Sequence, residues 1–537
     1  MLPDMFARYR STLENLGVLL AGMVGGGFLS VHFGKELSWD LANYHFYNPF
    51  SFWHQRWQTD VWLNSYLHVH FTPTLDFLTY FLINTTTPKA TTFLMGALHG
   101  INFWLLYCIA RQCLAKMVNS DWVRLPALLL ALSGMYGPTA LTGMGTFQQD
   151  EIVSLFVLVF VALQGRVLSG HSRGWMIFSG WLLGVGVGCK LTAGVFVGGA
   201  LLAYLVLDVS LRVKCEWAAL FLVSVIIGWL SASGYWMWFL WQQYQNPFYP
   251  LWNGIFHSSA FPFYNWKDSR FLPHGLLEAI FYPFFFSWNG RVSDNLFRDF
   301  RFPALYAALL GVALNWLIKK VRRIPMLKPD RYFIWLFAFF IFSYVWWEYL
   351  FSIMRYIVSL EMLTPLLIYL LICQLVRDAW LRAALATLVF VIIARTMLVA
   401  GVPRVPWYKG DYFNVQWPAS LDQVTPSAVL MPYSAFALST LPRPQTYLIP
   451  FLPSSWRVVG VPFADKKRMQ TQTLEAVLKH LHPQKWYLLA TDAYLPSLYQ
   501  LSDRVGLKQH KACGQVMSDR LRMTNERLWL CQVAYAR

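Results

Sequence analysis

Charged side chains are scarce in this chain. Asp, Glu, Lys and Arg make up 13% of 537 residues, about half the share of ordinary globular proteins. Too few polar groups remain to cover the surfaces of several soluble domains, which excludes a soluble enzyme of this length. Acids are the scarcer sign, 27 against 44 Lys and Arg, for a formal net charge of +17. No soluble basic stretch carries a nucleic-acid-binding motif, so that excess is not the footprint of a DNA or RNA partner. Cysteine is sparse too. The seven Cys have no metal-ligand spacing, which excludes the usual structural zinc sites. Cys108, Cys113, Cys189, Cys215 and Cys373 fall in or beside apolar runs and read as packing residues, whereas Cys513 and Cys531 lie in a polar region where an oxidising compartment would let them pair. Internal repeats and low-complexity tracts are absent, which argues against transporters built from repeats.

What is abundant is apolar. Hydrophobic residues make up 56% of the chain and aromatics 18%, with 26 Trp and 27 Tyr, the residues that favour membrane–water interfaces. Runs long enough to cross roughly 30 Å of hydrocarbon fall near 16–33, 90–110, 123–142, 152–165, 174–189, 191–208, 217–240, 303–318, 332–349, 356–376 and 383–400. The expected fold is therefore a polytopic α-helical membrane protein with about eleven transmembrane helices. Alternate connections are basic: Arg8 and Arg10; Arg111, Lys116 and Arg124; Arg166 and Arg173; Arg212 and Lys214; Lys319 to Arg331; Arg377 and Arg382. By the positive-inside rule the N-terminus is cytoplasmic and the C-terminus external. The polar start, Met1–Asn15, leads into a Gly-rich apolar stretch with no cleavage site, a retained first helix.

Residues 1–400 then form the membrane domain, with external loops 34–88 and 241–302 and a short one around Gly145–Glu151. Leu276–Trp288 is apolar enough for a re-entrant or interfacial helix. Residues 401–537 open on a Pro-rich linker and read as a soluble external α/β domain. Strands are expected at Ser427–Tyr433, Trp456–Val461, Trp486–Thr491 and Leu528–Val533, and a helix at Thr471–Leu481.

The densest polar cluster lies just outside the first helix: Glu36, Asp40, Asn43, Tyr44 and His45. A carboxylate at a membrane surface among aromatics is partly desolvated and can act as a base toward a hydroxyl. If the stretch is helical, Glu36 and Asp40 share a face. Asp150 and Glu151 open a later helix, where the dipole favours acids whatever their role. Lys190 sits at an external helix junction, and Arg355 with Tyr356 opens another helix. Asn246 heads an aromatic, Pro-rich turn, with Arg291, Arg298 and Arg301 beyond it. Acids and cations on one face, beside apolar surface, suit a lipid-phosphate substrate: cations for a phosphate leaving group, a carboxylate for an acceptor hydroxyl.

Four separated pieces resemble the GT-C superfamily of membrane glycosyltransferases, which includes protein O-mannosyltransferases and the aminoarabinose transferases of lipid A. Trp39-Asp40-Leu41-Ala42-Asn43-Tyr44-His45 is similar to its first-loop acidic motif, and Gln149-Asp150-Glu151 to its second acidic position. Gly188-Cys189-Lys190 is similar to its helix-junction lysine, and Arg355-Tyr356 to a late-helix "RY"; Asn246-Pro247-Phe248-Tyr249-Pro250 resembles a long-loop turn of bacterial members. The resemblance implies an inverting transferase that moves a sugar from a polyprenyl-phosphate donor to a glycan, lipid or protein hydroxyl, at the periplasmic face of a bacterial inner membrane. It implies Asp40 as base, Asp150 and Glu151 as further catalytic acids, and Lys190 and Arg355 as phosphate holders. Glu36, Asn43, Tyr44, His45, Asn246, Arg301 and Tyr356 would line the substrate. The one cofactor it leaves open is a divalent cation, Mg or Mn, on Asp150 or Glu151. Asp40 is followed by Leu41 rather than a second acid, a departure from several members. Two other readings stand beside this one: an oligosaccharide ligase or oligosaccharyltransferase using a lipid-pyrophosphate donor, and a transporter of a lipid-linked solute.

Overall fold

The computed structural model describes residues 2–61, 63, 66–115, 123–170, 173–294, 296–324, 330–399, 401–419, 421, 425–433, 445–462, 483–504 and 506–535. They fall into two compact units: Met1–Phe33, Thr92–Phe239 and Trp266–Val402 form one, and Gly34–Thr91, Leu240–Asn265 and Pro403–Arg537 the other. This division departs from the 1–400 and 401–537 boundary, because the tail shares its unit with the first loop and with the start of the loop 241–302.

Among the described residues, eight helices are long and apolar enough to cross a membrane: Thr12–Phe33, Pro88–Leu114, Asp150–Leu168, Leu211–Tyr244, Arg301–Val321, Arg331–Leu350, Met354–Leu375 and Ala379–Thr396. Asp330 and Asp378 cap two of them, accepting from the backbone N–H groups of Tyr332 and Leu381, donors that a helix leaves unsatisfied at its start. The other three expected spans are helical but shorter. Arg124–Met135 stops and Pro138–Gly143 starts afresh, with Gly137 extended before the proline, as a residue preceding proline prefers. Arg173–Cys189 and Gly194–Leu205 are parted at Lys190, whose backbone is extended. The first span packs directly against Pro88–Leu114 through facing glycines. A Cβ on Gly26 would stand 2.4 Å from the Gly96 carbonyl oxygen, and one on Gly22 2.5 Å from that of Gly100. Small residues four apart on both helices let backbones touch, the usual device where lipid removes the hydrophobic drive between helices. Leu276–Trp288 is two short helices, Leu276–Ile280 and Tyr282–Asn289. Tyr282 and Phe286 are buried, while Leu276, Leu277, Phe284 and Trp288 lie exposed.

The second unit is built on a five-stranded sheet in the order Arg457–Pro462, Ser427–Tyr433, Lys485–Thr491, Leu528–Ala534, Gln509–Val516. The first three run parallel and the last two pair antiparallel. Ala428, Leu430, Val459, Leu488, Leu498 and Val533 lie in its core. Four of these strands follow the sequence reading; Gln509–Val516, with Lys511 and Gly514 in it, lacks strand composition and escapes it. Cys513 and Cys531 stand opposite each other on adjacent strands and are joined by a disulfide. The helix expected at Thr471–Leu481 lies outside the described residues, as do Lys116 and Lys328 of the basic connections.

The first loop is woven into this sheet. Val61 bridges to Val459, donating to the Val458 carbonyl at 2.9 Å and accepting from the Gly460 N–H at 2.8 Å. Arg56 and Asp60 form a two-pronged pair. Arg56 also donates to the Ser454 and Trp456 carbonyls, and Asp60 accepts from Tyr47 and the Val458 N–H. Nearby, His70 packs edge-on to Tyr66, Tyr244 and Tyr249 and donates from Nδ1 to the Tyr66 carbonyl at 2.7 Å. Burial pushes His70 down to about 4 from an ordinary value of 6.5. The unfolded chain therefore takes up this proton first. The stabilising effect of a neutral His70 is complete above about pH 6.5 and is lost as pH falls toward 4. His70→Gln is expected to flatten the fall of the unfolding temperature between pH 7 and 4.5; a slope equal to the parent's would refute the assignment.

Candidate functional site

In the unit carrying most of the membrane helices, the break at Lys190 matters chemically. Because the chain is extended there, the lysine leaves the helix axis, and its Nζ reaches Asp150 Oδ1 at 2.6 Å and the Gln148 carbonyl at 3.1 Å. Arg355, at the start of Met354–Leu375, brings Nε to 3.9 Å from Asp150 Oδ2. Both cations also lie over the Tyr356 ring, Lys190 at 5.1 Å and Arg355 at 5.6 Å from its centre. Three pieces far apart in sequence thus meet in one cluster of two cations, one carboxylate and an aromatic face. Asp150 is nearly buried, whereas the Lys190 and Arg355 side chains keep 17% and 25% of their surface. Both cations of the cluster therefore keep part of their surface open.

Glu151 follows Asp150 but turns elsewhere, as successive helical residues must. It is buried with its carboxylate against Gly143, where a Cβ would stand 2.5 Å from Oε1. Arg301, expected at the substrate, is likewise buried. It pairs with Asp299 at 2.7 Å and donates to the carbonyls of Glu361 and Tyr136. The Glu361 carbonyl is open to it because Pro365, four residues on, has no N–H to give. Burial holds the Asp299 carboxyl above its ordinary range despite Arg301. The Glu361 carboxylate accepts the N–H groups of Thr139 and Ala140, the first turn of Pro138–Gly143. Arg301 thus belongs to an internal brace rather than a substrate surface.

In the second unit, Glu36 and Asp40 do not share a helical face. Lys35–Glu36 is a short strand paired with Arg404–Val405, and Glu36 is fully buried. Asp40, 7% exposed, precedes a wide π-helical turn, Leu41–His45, in which every residue is buried; such turns recur at functional sites. Asn43 donates to the Trp39 carbonyl at 2.9 Å, Tyr44 stacks on His68, and His45 Nδ1 meets Asp76 at 2.7 Å. Asn246 is buried as well. Its side chain accepts from the Phe248 N–H and donates to the Leu251 carbonyl, so it shapes the aromatic turn from within. Sequence reading missed Asp76, Asp299 and the tail residues that hold the Asp40 segment, since isolated polar residues give no periodic or motif signal.

A divalent cation does not fit the acids named for it. Among the described residues, no three His, Cys, Asp or Glu side chains converge as a metal site needs. Asp150 already has a cation near each oxygen, and Glu151 points away.

The family model described as dolichyl-phosphate-mannose-protein mannosyltransferase matches residues 78–238. Asp150, Glu151 and Lys190 fall inside that segment; Asp40 and Arg355 fall outside it. No curated protein and no solved structure matches the chain. The matched segment, less than a third of the chain, holds two of the four motif pieces and supports a likeness to membrane glycosyltransferases of GT-C type.

Proposed function

We propose that this protein is an inverting glycosyltransferase that moves a sugar, mannose or a relative of it, from a polyprenyl-phosphate donor to an acceptor hydroxyl. The acceptor is a glycan, lipid or protein at the periplasmic face of a bacterial inner membrane. The alternating basic connections support this orientation, N-terminus inside and tail outside. The observation that carries the reading is the convergence of Lys190 and Arg355 on Asp150 beside Tyr356.

In this reading Asp40 takes the proton of the acceptor hydroxyl, and the freed oxygen attacks the anomeric carbon opposite the phosphate. The bond from carbon to phosphate oxygen breaks, configuration inverts, and the electron pair stays on polyprenyl phosphate. The donor phosphodiester carries one negative charge and the departing monoester two. Cations at that oxygen therefore stabilise the transition state more than the bound donor, the condition for faster turnover. Lys190 and Arg355 supply those cations, while Asp150 holds them in place.

Lys190→Ala and Arg355→Ala are each expected to lower kcat/KM for a polyprenyl-phosphate sugar by about 10²-fold, the scale of losing one charged stabilising donor. Donor dependence equal to the parent's in both variants would remove the phosphate assignment.

A further inference from the structure

The C-terminal tail grips the chain on both sides of Asp40. Upstream, the Arg520 guanidinium donates to the Leu37 carbonyl and, through Nε, to Gln445 at 3.1 Å. The buried Lys35 ammonium pairs with buried Asp519 and donates to the Tyr412 carbonyl at 2.6 Å. The Tyr412 hydroxyl in turn donates to the Glu36 carbonyl at 3.2 Å. Downstream, the Thr446 hydroxyl donates to the Asn43 carbonyl and lies 3.5 Å from that of Ala42. A π-helical turn shifts its own hydrogen bonds one residue along, and here a tail side chain meets the carbonyls of that turn. Phe46, just beyond it, packs on Phe413 and Phe451 of the tail. The donors are themselves anchored. Tyr447 bonds to Ser518, and Ser518 caps the helix Asp519–Thr524 that carries Asp519 and Arg520. Burial lowers the Arg520 guanidinium from its ordinary value, the mark of a cation that has exchanged water for fixed carbonyls.

We propose that Arg520 and Thr446 are positioning residues for Asp40: the tail sets the angle of the catalytic carboxylate by fixing the backbone three residues before it and two to three after it. This rests on the reading of Asp40 as base. It gives the tail a part in the chemical step. The bonds run to backbone carbonyls, so the device constrains the path of the chain and leaves the acidic side chain to its own surroundings.

The test measures transfer from a polyprenyl-phosphate sugar by full-length Thr446→Val, Thr446→Ser and Arg520→Lys, with thermal unfolding of each. Thr446→Val removes one donor without changing volume, and Arg520→Lys keeps the charge but loses the forked geometry. Both are expected to lower kcat by about 10–100-fold, the scale of a small displacement of a reacting group. Donor KM should stay within about twofold, and Thr446→Ser should restore the rate. In an Asp40→Asn background Thr446→Val should change nothing further, because residues that act as a unit do not add. Parent-like kcat in Thr446→Val and Arg520→Lys, beside an inactive Asp40→Asn, would overturn the positioning role and leave the base intact. An active Asp40→Asn would instead remove the base itself. Rates that fall only in step with unfolding temperature, or with a matching rise in donor KM, would make these contacts merely structural and overturn the proposal.

Discussion

Asp40→Asn is expected to lower transfer by about 10²–10⁴-fold, the range that a positioned general base contributes, while expression and thermal unfolding stay at parent values. The substitution keeps the shape of a side chain that is nearly enclosed. What it removes is the capacity to accept a proton. Without a base the acceptor hydroxyl attacks as a neutral alcohol, and the positive charge building on its oxygen is unrelieved. Lys190 and Arg355 would still assist the leaving phosphate, so slow transfer with normal donor KM is the expected pattern. The measurement is transfer from a labelled polyprenyl-phosphate sugar at saturating donor. A rate within a few-fold of the parent would remove Asp40 as base.

The membrane helices were readable because the bilayer imposes one rule, a long apolar run, on each of them. Where the rule weakens, reading along the chain weakens with it. Residues 123–142 look like one span until Pro138 divides them, and 174–208, already short for two spans, is parted at Lys190. Lys190 and Arg355 stood out as external cations, yet their meeting on Asp150 depends on how three helices pack. Arg301 illustrates the opposite outcome. Its charge suggested a ligand, but Pro365 frees a backbone carbonyl that absorbs it, and a proline and an arginine 64 positions apart announce no such pairing. Glu36 misled for a related reason. Its spacing from Asp40 suits a helix, but pairing with Arg404–Val405 makes its segment a strand, and partners so remote in sequence override local preference.

The brace around Glu361 yields the second large effect. Gly137 precedes the short helix Pro138–Gly143, and a Cβ there would stand 2.6 Å from the Glu361 carboxyl carbon and 2.9 Å from Arg301 Nη1. Neither neighbour can give way. Glu361 is held by the N–H groups of Thr139 and Ala140, and Arg301 by Asp299 and two carbonyls. Gly137→Ala must therefore separate Glu361 from the helix start or move Arg301. Overpacking of this kind costs about 1–3 kcal/mol, and a buried hydrogen bond broken with it about 1–3 kcal/mol more. A marked fall in the unfolding temperature of the detergent-solubilised protein is expected. Glu361→Gln, which keeps the volume but removes the charge facing both the helix start and Arg301, should fall in the same direction by less. Gly25→Ala is the contrasting control, since a Cβ there meets nothing within 4 Å and the residue lies inside a regular helix. If Gly137→Ala unfolded at the parent temperature, the brace would not be a determinant of stability. Asp150, which opens the next helix only a few residues beyond Gly143, would then owe its placement beside Lys190 to that helix alone.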